Sequence, residues 1–151
     1  MEGLEDPTMD VPILTPNQAH EFMQKGAYYV DVRTEGEYQT GRPKGSYNVP
    51  FVVRDPRTMQ MLMNPEFLQV MEGNFAKDAP LILGCQMGGR SALAAKMLVG
   101  VGYTNVADVS AGWGGSRDSL GRPLEPGWEA CDLPTDKGFC LERGYEALRN
   151  D

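Results

Sequence analysis

Cys85 is followed five residues later by Arg90, in the run Leu81-Ile82-Leu83-Gly84-Cys85-Gln86-Met87-Gly88-Gly89-Arg90-Ser91. The helix-like stretch Ala92-Leu93-Ala94-Ala95-Lys96-Met97-Leu98 comes straight after it. The chemistry open to such a cysteine is nucleophilic. An apolar run delivers it into a glycine-containing loop, and that loop opens a helix. Backbone N–H groups at a helix start are unpaired, and the helix dipole adds partial positive charge there. A sulfur held among them is favoured as the thiolate, which is its reactive form. Gly88 and Gly89 would let the chain wrap round the sulfur at positive φ. Arg90 would set a fixed cation beside the thiolate or beside an anionic substrate. Taken alone, Cys85 also fits an inert, buried small hydrophobe. The order strand, Cys, loop, Arg, helix is what points to a nucleophile.

The elements that must position this loop can be read along the chain. Val11 to Thr15 is a short strand candidate. Thr15 N-caps a helix with Pro16 at its first position, running to Lys25 and stopped by Gly26. Ala27 to Val32 reads as a buried strand, Glu35 to Tyr38 as a helical turn, and Gly45 to Val49 as a strand closed by Pro50. Asn64-Pro65 opens a helix to about Phe75, Leu81 to Gly84 is the strand that carries Cys85, and Ser91 to Val99 is a helix ended by Gly100 and Gly102. Val106 to Val109 is a further strand. Such alternation predicts an α/β fold in three layers: a central parallel sheet of about five strands with helices on both faces. Ligands of these sheets sit outside the carboxyl ends of the strands, where Cys85 falls.

Composition narrows the function. A chain of 151 residues fits one domain with a real core. With 14 Lys and Arg against 21 Asp and Glu, the net charge of −7 argues against a general nucleic-acid binder or an anionic membrane surface. No apolar run approaches the roughly 20 residues of a membrane span. The acidic start Met1-Glu2-Gly3-Leu4-Glu5-Asp6-Pro7 gives no sign of a secretory leader. Three cysteines are too few for a disulfide framework, so the expected compartment is the cytoplasm, with reduced thiols. His20 is the only histidine and reads as a surface or packing residue, so no Cys–His dyad is available and no metal-ligand set forms. Met59, Met61 and Met63 alternate and read as gap-filling core residues rather than an exposed edge.

Five segments, in order, resemble the single-domain rhodaneses, a family of sulfurtransferases. They are Val30-Asp31-Val32-Arg33 with Glu35 and Glu37-Tyr38, then Gly41 to Pro50, then Cys85 to Ser91, then Val109-Ser110-Ala111-Gly112-Trp113, and last Gly127 to Pro134. The resemblance covers residues 11–134, leaving 1–10 as an N-terminal and 135–151 as a C-terminal extension. It implies that Cys85 attacks the outer sulfur of a donor such as thiosulfate or a persulfide and carries it as Cys–S–S⁻. Cyanide, a thiol or a protein acceptor would then remove that sulfur. The amides of Gln86, Met87, Gly88, Gly89, Arg90 and Ser91 would cradle the outer sulfur, and Arg90 would attract the donor and orient the loop. Asp31, Arg33 and Glu37 would form a supporting ion-pair network. Neither a metal nor an organic cofactor is implied.

The loop length carries a second implication of the resemblance. Related phosphatases and arsenate reductases place the arginine one position further on, so this shorter loop suits one sulfur atom rather than a tetrahedral oxyanion. A non-catalytic, partner-binding module of the same fold is the alternative from a different class. The chain departs from the family at Arg42, at Gln86 and Met87, and in the lengthened stretch 114–126. Arg117 and Arg122 in that stretch read as solvated charges that could also reach an anionic donor. Cys131 and Cys140 read as ordinary thiols, with sulfur relay or disulfide formation with Cys85 as the alternative.

Overall fold

The computed structural model describes residues 11–150. The N-terminal extension 1–10, and with it the question of a leader, lies outside the described residues. The main sheet has four parallel strands: β1 (Tyr28–Asp31), β3 (Tyr47–Asn48), β6 (Leu81–Gly84) and β7 (Val106–Val109), in the order β3-β1-β6-β7. The expected fifth strand at 11–15 shrinks to one parallel bridge between Ile13 and Asp108. Pro12 has no N–H to continue a ladder, and Thr15 is already committed to capping the next helix.

Helices cover both faces. Val30, Val32, Leu81 and Leu83 pack under α3 (Phe67–Asn74), α4 (Gly89–Gly100) and α5 (Tyr145–Arg149). Tyr29, Ile82 and Val109 point the other way, against Ala19 of α1 (Pro16–Gln24) and the fully buried Trp128. The two faces follow from strand periodicity, because successive side chains alternate. His20 stacks edge-on against Trp128 at 5.8 Å, in the packing role expected of it. α1 and α2 (Glu35–Thr40) each begin with a full capping box, Thr15 with Gln18 and Thr34 with Glu37. α4 starts two residues earlier than expected and runs through Gly100; Gly102, at φ +105°, turns the chain out of it.

Three short antiparallel pairs stand off this core. β2 (Arg42–Pro43) pairs with β10 (Thr135–Asp136), β4 (Val52–Arg54) with β5 (Met61–Met63), and β8 (Ser116–Arg117) with β9 (Pro123–Glu125). The β4–β5 hairpin corrects the reading of the methionines: Met59, Met61 and Met63 are all exposed, at 44% or more. A two-stranded ribbon standing off the sheet has no layer to bury them. In the β8–β9 hairpin Arg122 pairs with Asp118 at 2.7 Å and Arg117 donates to the Gly121 carbonyl at 2.9 Å, so both arginines serve their own turn.

The segment after 134 packs into the same core. The Asn48 N–H donates to the Arg143 carbonyl at 2.9 Å. Asn64 donates through Nδ2 to the Tyr145 hydroxyl at 3.0 Å, and Tyr145 and Leu148 are buried. Tyr145→Ala therefore removes a core ring and the acceptor of Asn64, for an expected loss of about 3–5 kcal/mol in urea unfolding. Leu141→Ala, at a side chain 74% exposed, should stay within about 0.5 kcal/mol. Equal effects would show that this segment adds nothing to the core.

Candidate functional site

The site is built at the carboxyl ends of the strands. Asp31 of β1 pairs in register with Asn48 of β3 and Gly84 of β6, and Gly84 with Val109 of β7. The next residues along each chain therefore meet at one edge: Val32-Arg33 from β1, Cys85 from β6, and Ser110 to Gly112 from β7. Cys85 sits there with only 2% of its surface exposed.

Two amides reach its sulfur. The Gly88 N–H points at Sγ at 3.1 Å and the Ser91 N–H at 3.4 Å. The thiol lies 3.5 Å from Ser91 Oγ, to which it can donate, and that hydroxyl donates to the Gly88 carbonyl at 3.2 Å. Gly88 needs its glycine: φ is +102°, and a Cβ there would run into the Ser110 carbonyl. Gly89 corrects the sequence reading. It is the first residue of α4, without positive φ, and its Cβ direction is open. One left-handed residue suffices to turn the loop into the helix.

The loop is braced from β7. Trp113 N–H donates to the Cys85 carbonyl at 2.8 Å and Gly114 N–H to the Gln86 carbonyl at 2.9 Å. Gly112, at φ +59°, lies so close that a Cβ would strike the Cys85 carbonyl. Gln86 and Met87 have different surroundings. Gln86 is partly buried and its Oε1 lies 3.5 Å from Arg33 Nη1, whereas Met87 is 58% exposed at the loop rim.

The charged residues are joined in two pairs. Arg33, 1% exposed, donates from Nε and Nη2 to Asp31 at 3.0 and 2.7 Å, and from Nη2 to the Gly41 carbonyl at 2.6 Å. Its guanidinium lies over the Trp113 ring at 5.2 Å. Burial opposes its charge, but the contact with Asp31 outweighs this and raises its pKa. Arg90 donates from both terminal nitrogens to Glu37, at 2.7 and 3.1 Å. Burial works against the Glu37 carboxylate, yet Arg90 and the Thr34 N–H bring its pKa down to about 2. A lowered carboxylate stabilises the fold above its ordinary range near 4.5 and loses that contribution as pH falls through about 2. The structure thus brings Asp31, Arg33, Glu37, Arg90 and the loop together, with each arginine already matched by a carboxylate.

Cys131 and Cys140 are free thiols, as is Cys85. Burial pushes Cys131 up. Burial also acts against the Cys140 thiolate, but the Arg143 N–H and charge outweigh it and lower the pKa. One residue escaped the sequence reading. Asp108, 3% exposed, interrupts the apolar strand β7, and its Oδ1 has no hydrogen-bond partner. An acid inside Val-Ala-Asp-Val was the available signal.

Burial raises Asp108 from 3.8 to about 6. The unfolded chain therefore ionises first. No penalty exists below about 3.8; it grows as pH rises and is complete above about 6, at a size of about 3 kcal/mol. Wild-type stability relative to Asp108→Asn should fall across this window in urea unfolding, and parallel curves would remove the penalty. Gly88→Ala should cost about 1–3 kcal/mol and displace the amide from Sγ, checked by unfolding and by Cys85 alkylation.

Comparison with known proteins agrees with this geometry. Residues 15–117 match the rhodanese-like domain. The chain is 38% identical over 95 residues to thiosulfate sulfurtransferase 16, chloroplastic, of Arabidopsis thaliana, covering 63% of this chain and 78% of that one. It is 32% identical over 127 residues to the thiosulfate sulfurtransferase GlpE of Haemophilus influenzae, covering 83% of this chain and 95% of that one. Against two further plant relatives it spans 56% and 58% of their length. The crystal structure of Rv0390 from M. tuberculosis superposes with a TM-score of 0.69 at 29% identity, covering 85% of this chain and 98% of that one. With a cysteine cradled at the end of a central parallel strand and a profile match across most of its length, the chain belongs to the rhodanese-like domain family.

Proposed function

We propose that this protein is a sulfurtransferase that carries a sulfane sulfur as a persulfide on Cys85. The observation that supports this most directly is the pair of amides, from Gly88 and Ser91, converging on Sγ at 3.1 and 3.4 Å. Fixed donors of this kind stabilise negative charge on sulfur without reorganising during the reaction. The Cys85 thiolate attacks the outer sulfur of thiosulfate, a new S–S bond forms, and sulfite leaves with the electrons of the broken bond. A thiophilic acceptor, cyanide in an assay or a thiol on a small molecule or protein, then attacks the outer sulfur and restores the thiolate. The names of the two thiosulfate sulfurtransferase relatives support the same reaction class.

The remaining residues fall into supporting roles. Gln86, Met87, Gly88, Gly89, Arg90 and Ser91 form the wall around the transferred sulfur. Glu37 holds Arg90 at the loop, and Arg33, itself held by Asp31, holds Gln86. The Arg90 side chain keeps about a quarter of its surface exposed, which leaves it able to meet an anionic donor. The chemistry calls on no metal or organic cofactor.

Intact mass after thiosulfate tests the reading. A gain of about 32 Da mapping to Cys85 and lost on adding cyanide is expected, with none in Cys85→Ser. Sulfur found only on Cys131 or Cys140, or turnover retained in Cys85→Ser, would overturn it.

A further inference from the structure

Arg90 is the one formal charge in the loop 85–91, yet it is not a free cation. Its Nη1 donates to Glu37 Oε1 at 2.7 Å and its Nη2 to Glu37 Oε2 at 3.1 Å. A carboxylate that takes both terminal nitrogens holds a guanidinium strongly and in one orientation. Glu37 is itself held from behind. Its Oε1 also accepts from the Thr34 N–H at 3.0 Å and from the Thr34 hydroxyl at 3.2 Å, so the cap of α2 fixes the carboxylate that Arg90 meets. With its pKa brought down to about 2, Glu37 stays ionised at any working pH.

The other arginines considered for this site do not make up the loss. Arg33 is buried, with Nε and Nη2 spent on Asp31 and the Gly41 carbonyl. Arg117 and Arg122 serve their own hairpin. Gln86 and Met87 are uncharged, and Met87 stands exposed at the rim. The charges of Asp31, Arg33, Glu37 and Arg90 therefore cancel, and the Cys85 thiolate leaves this group net negative. The Glu37 side chain keeps 35% of its surface exposed beside Arg90. An approaching anion thus meets the carboxylate together with the guanidinium.

We infer that Glu37, through its hold on Arg90, sets the charge preference for the sulfur donor, turning the site from dianions toward donors of the thiosulfonate and persulfide class that bring one negative charge or none. Glu37 touches no reacting atom; it is a positioning residue that acts through Arg90. With a thiosulfonate, R–SO2–S⁻, the Cys85 thiolate bonds to the outer sulfur. The bond from that sulfur to the sulfonyl sulfur breaks, and the sulfinate R–SO2⁻ leaves with its electron pair. Total charge is the same before and after, and no oxidant or reductant is needed. Thiosulfate undergoes the same step but brings two negative charges to the thiolate instead of one.

Cys85 as the sulfur carrier is taken from the function proposed above, but the charge it meets can be read without sulfur transfer. Iodoacetate carries one negative charge and iodoacetamide none, and peptide mass follows the alkylation of Cys85 by each. In the wild type, iodoacetate should gain on iodoacetamide as ionic strength rises, because screening relieves repulsion; a loss would mark a net positive site and overturn the proposal. Glu37→Gln keeps the size and the oxygen that caps α2, and it turns a donor toward Arg90 Nη2, which frees that nitrogen for an anion. The ratio of the iodoacetate rate to the iodoacetamide rate should rise about tenfold in Glu37→Gln. Glu37→Asp keeps the charge and should keep the wild-type ratio. The kcat/KM for thiosulfate relative to methanethiosulfonate should rise by a similar factor in Glu37→Gln, through KM rather than kcat. A merely structural Glu37 would slow both reagents alike and leave the ratios fixed. Near-ultraviolet circular dichroism checks the fold of each variant. An unchanged ratio in folded Glu37→Gln, or a shift as large in Glu37→Asp, would overturn the charge preference. A shifted alkylation ratio in a protein that takes sulfur from neither donor would overturn the transferase reading and leave the charge preference at Cys85 standing.

Discussion

The arrangement at Cys85 depends on how closely two backbone segments can approach. A helix start offers amides to a sulfur, but it cannot by itself stop the intervening loop from relaxing outward. Here the turn after β7 closes against the loop after β6, with Trp113 and Gly114 donating to the carbonyls of Cys85 and Gln86. Gly88 beneath Ser110 and Gly112 beneath Cys85 make that approach possible, since any side chain at either point would meet a carbonyl oxygen. The Gly88 N–H reaches Sγ at 3.1 Å because this closure holds.

The electrostatics follow from the same closure. Arg33 is too deeply buried to be tolerated alone, and it is matched by Asp31, by the Gly41 carbonyl and by the face of Trp113. A buried pair of this kind is weak evidence for stability, but removing one partner leaves an unmatched charge. Its value here is positional, because one guanidinium spans β1, the start of β2 and the loop. The second pair, Glu37 with Arg90, ties the start of α2 to the start of α4. Because Glu37 also caps the start of α2, the local signal that begins one helix sets the position of a charge in the loop.

Much of this was legible in local sequence. Thr15 announces its helix, and the strand Leu81–Gly84 and the strand Val106–Val109 have the boundaries that their apolar runs give. A supporting network of Asp31, Arg33 and Glu37 was accessible from the sequence, but that Glu37 takes Arg90 of the loop as its partner was not. What escaped depends on contacts distant in sequence. The bracing of Cys85 by Trp113 joins residues almost thirty positions apart, and no periodicity encodes it. The alternation of Met59, Met61 and Met63 has the period of a strand, but period alone cannot say whether a layer exists to cover it. Gly89 looked like Gly88 in sequence, and only the backbone path separates them.

Strand β6 lies inside the sheet, hydrogen-bonded to β1 on one side and β7 on the other along its whole length. Local opening in folded proteins begins at edges and termini and reaches central strands last. Cys85, directly after this strand, is thus tethered to the part of the molecule expected to open last. Cys131 and Cys140 lie in surface segments and are partly exposed in the folded state. Diffusing oxidants therefore meet those two thiols directly, while Cys85 is open only to reagents small enough to enter through its own loop.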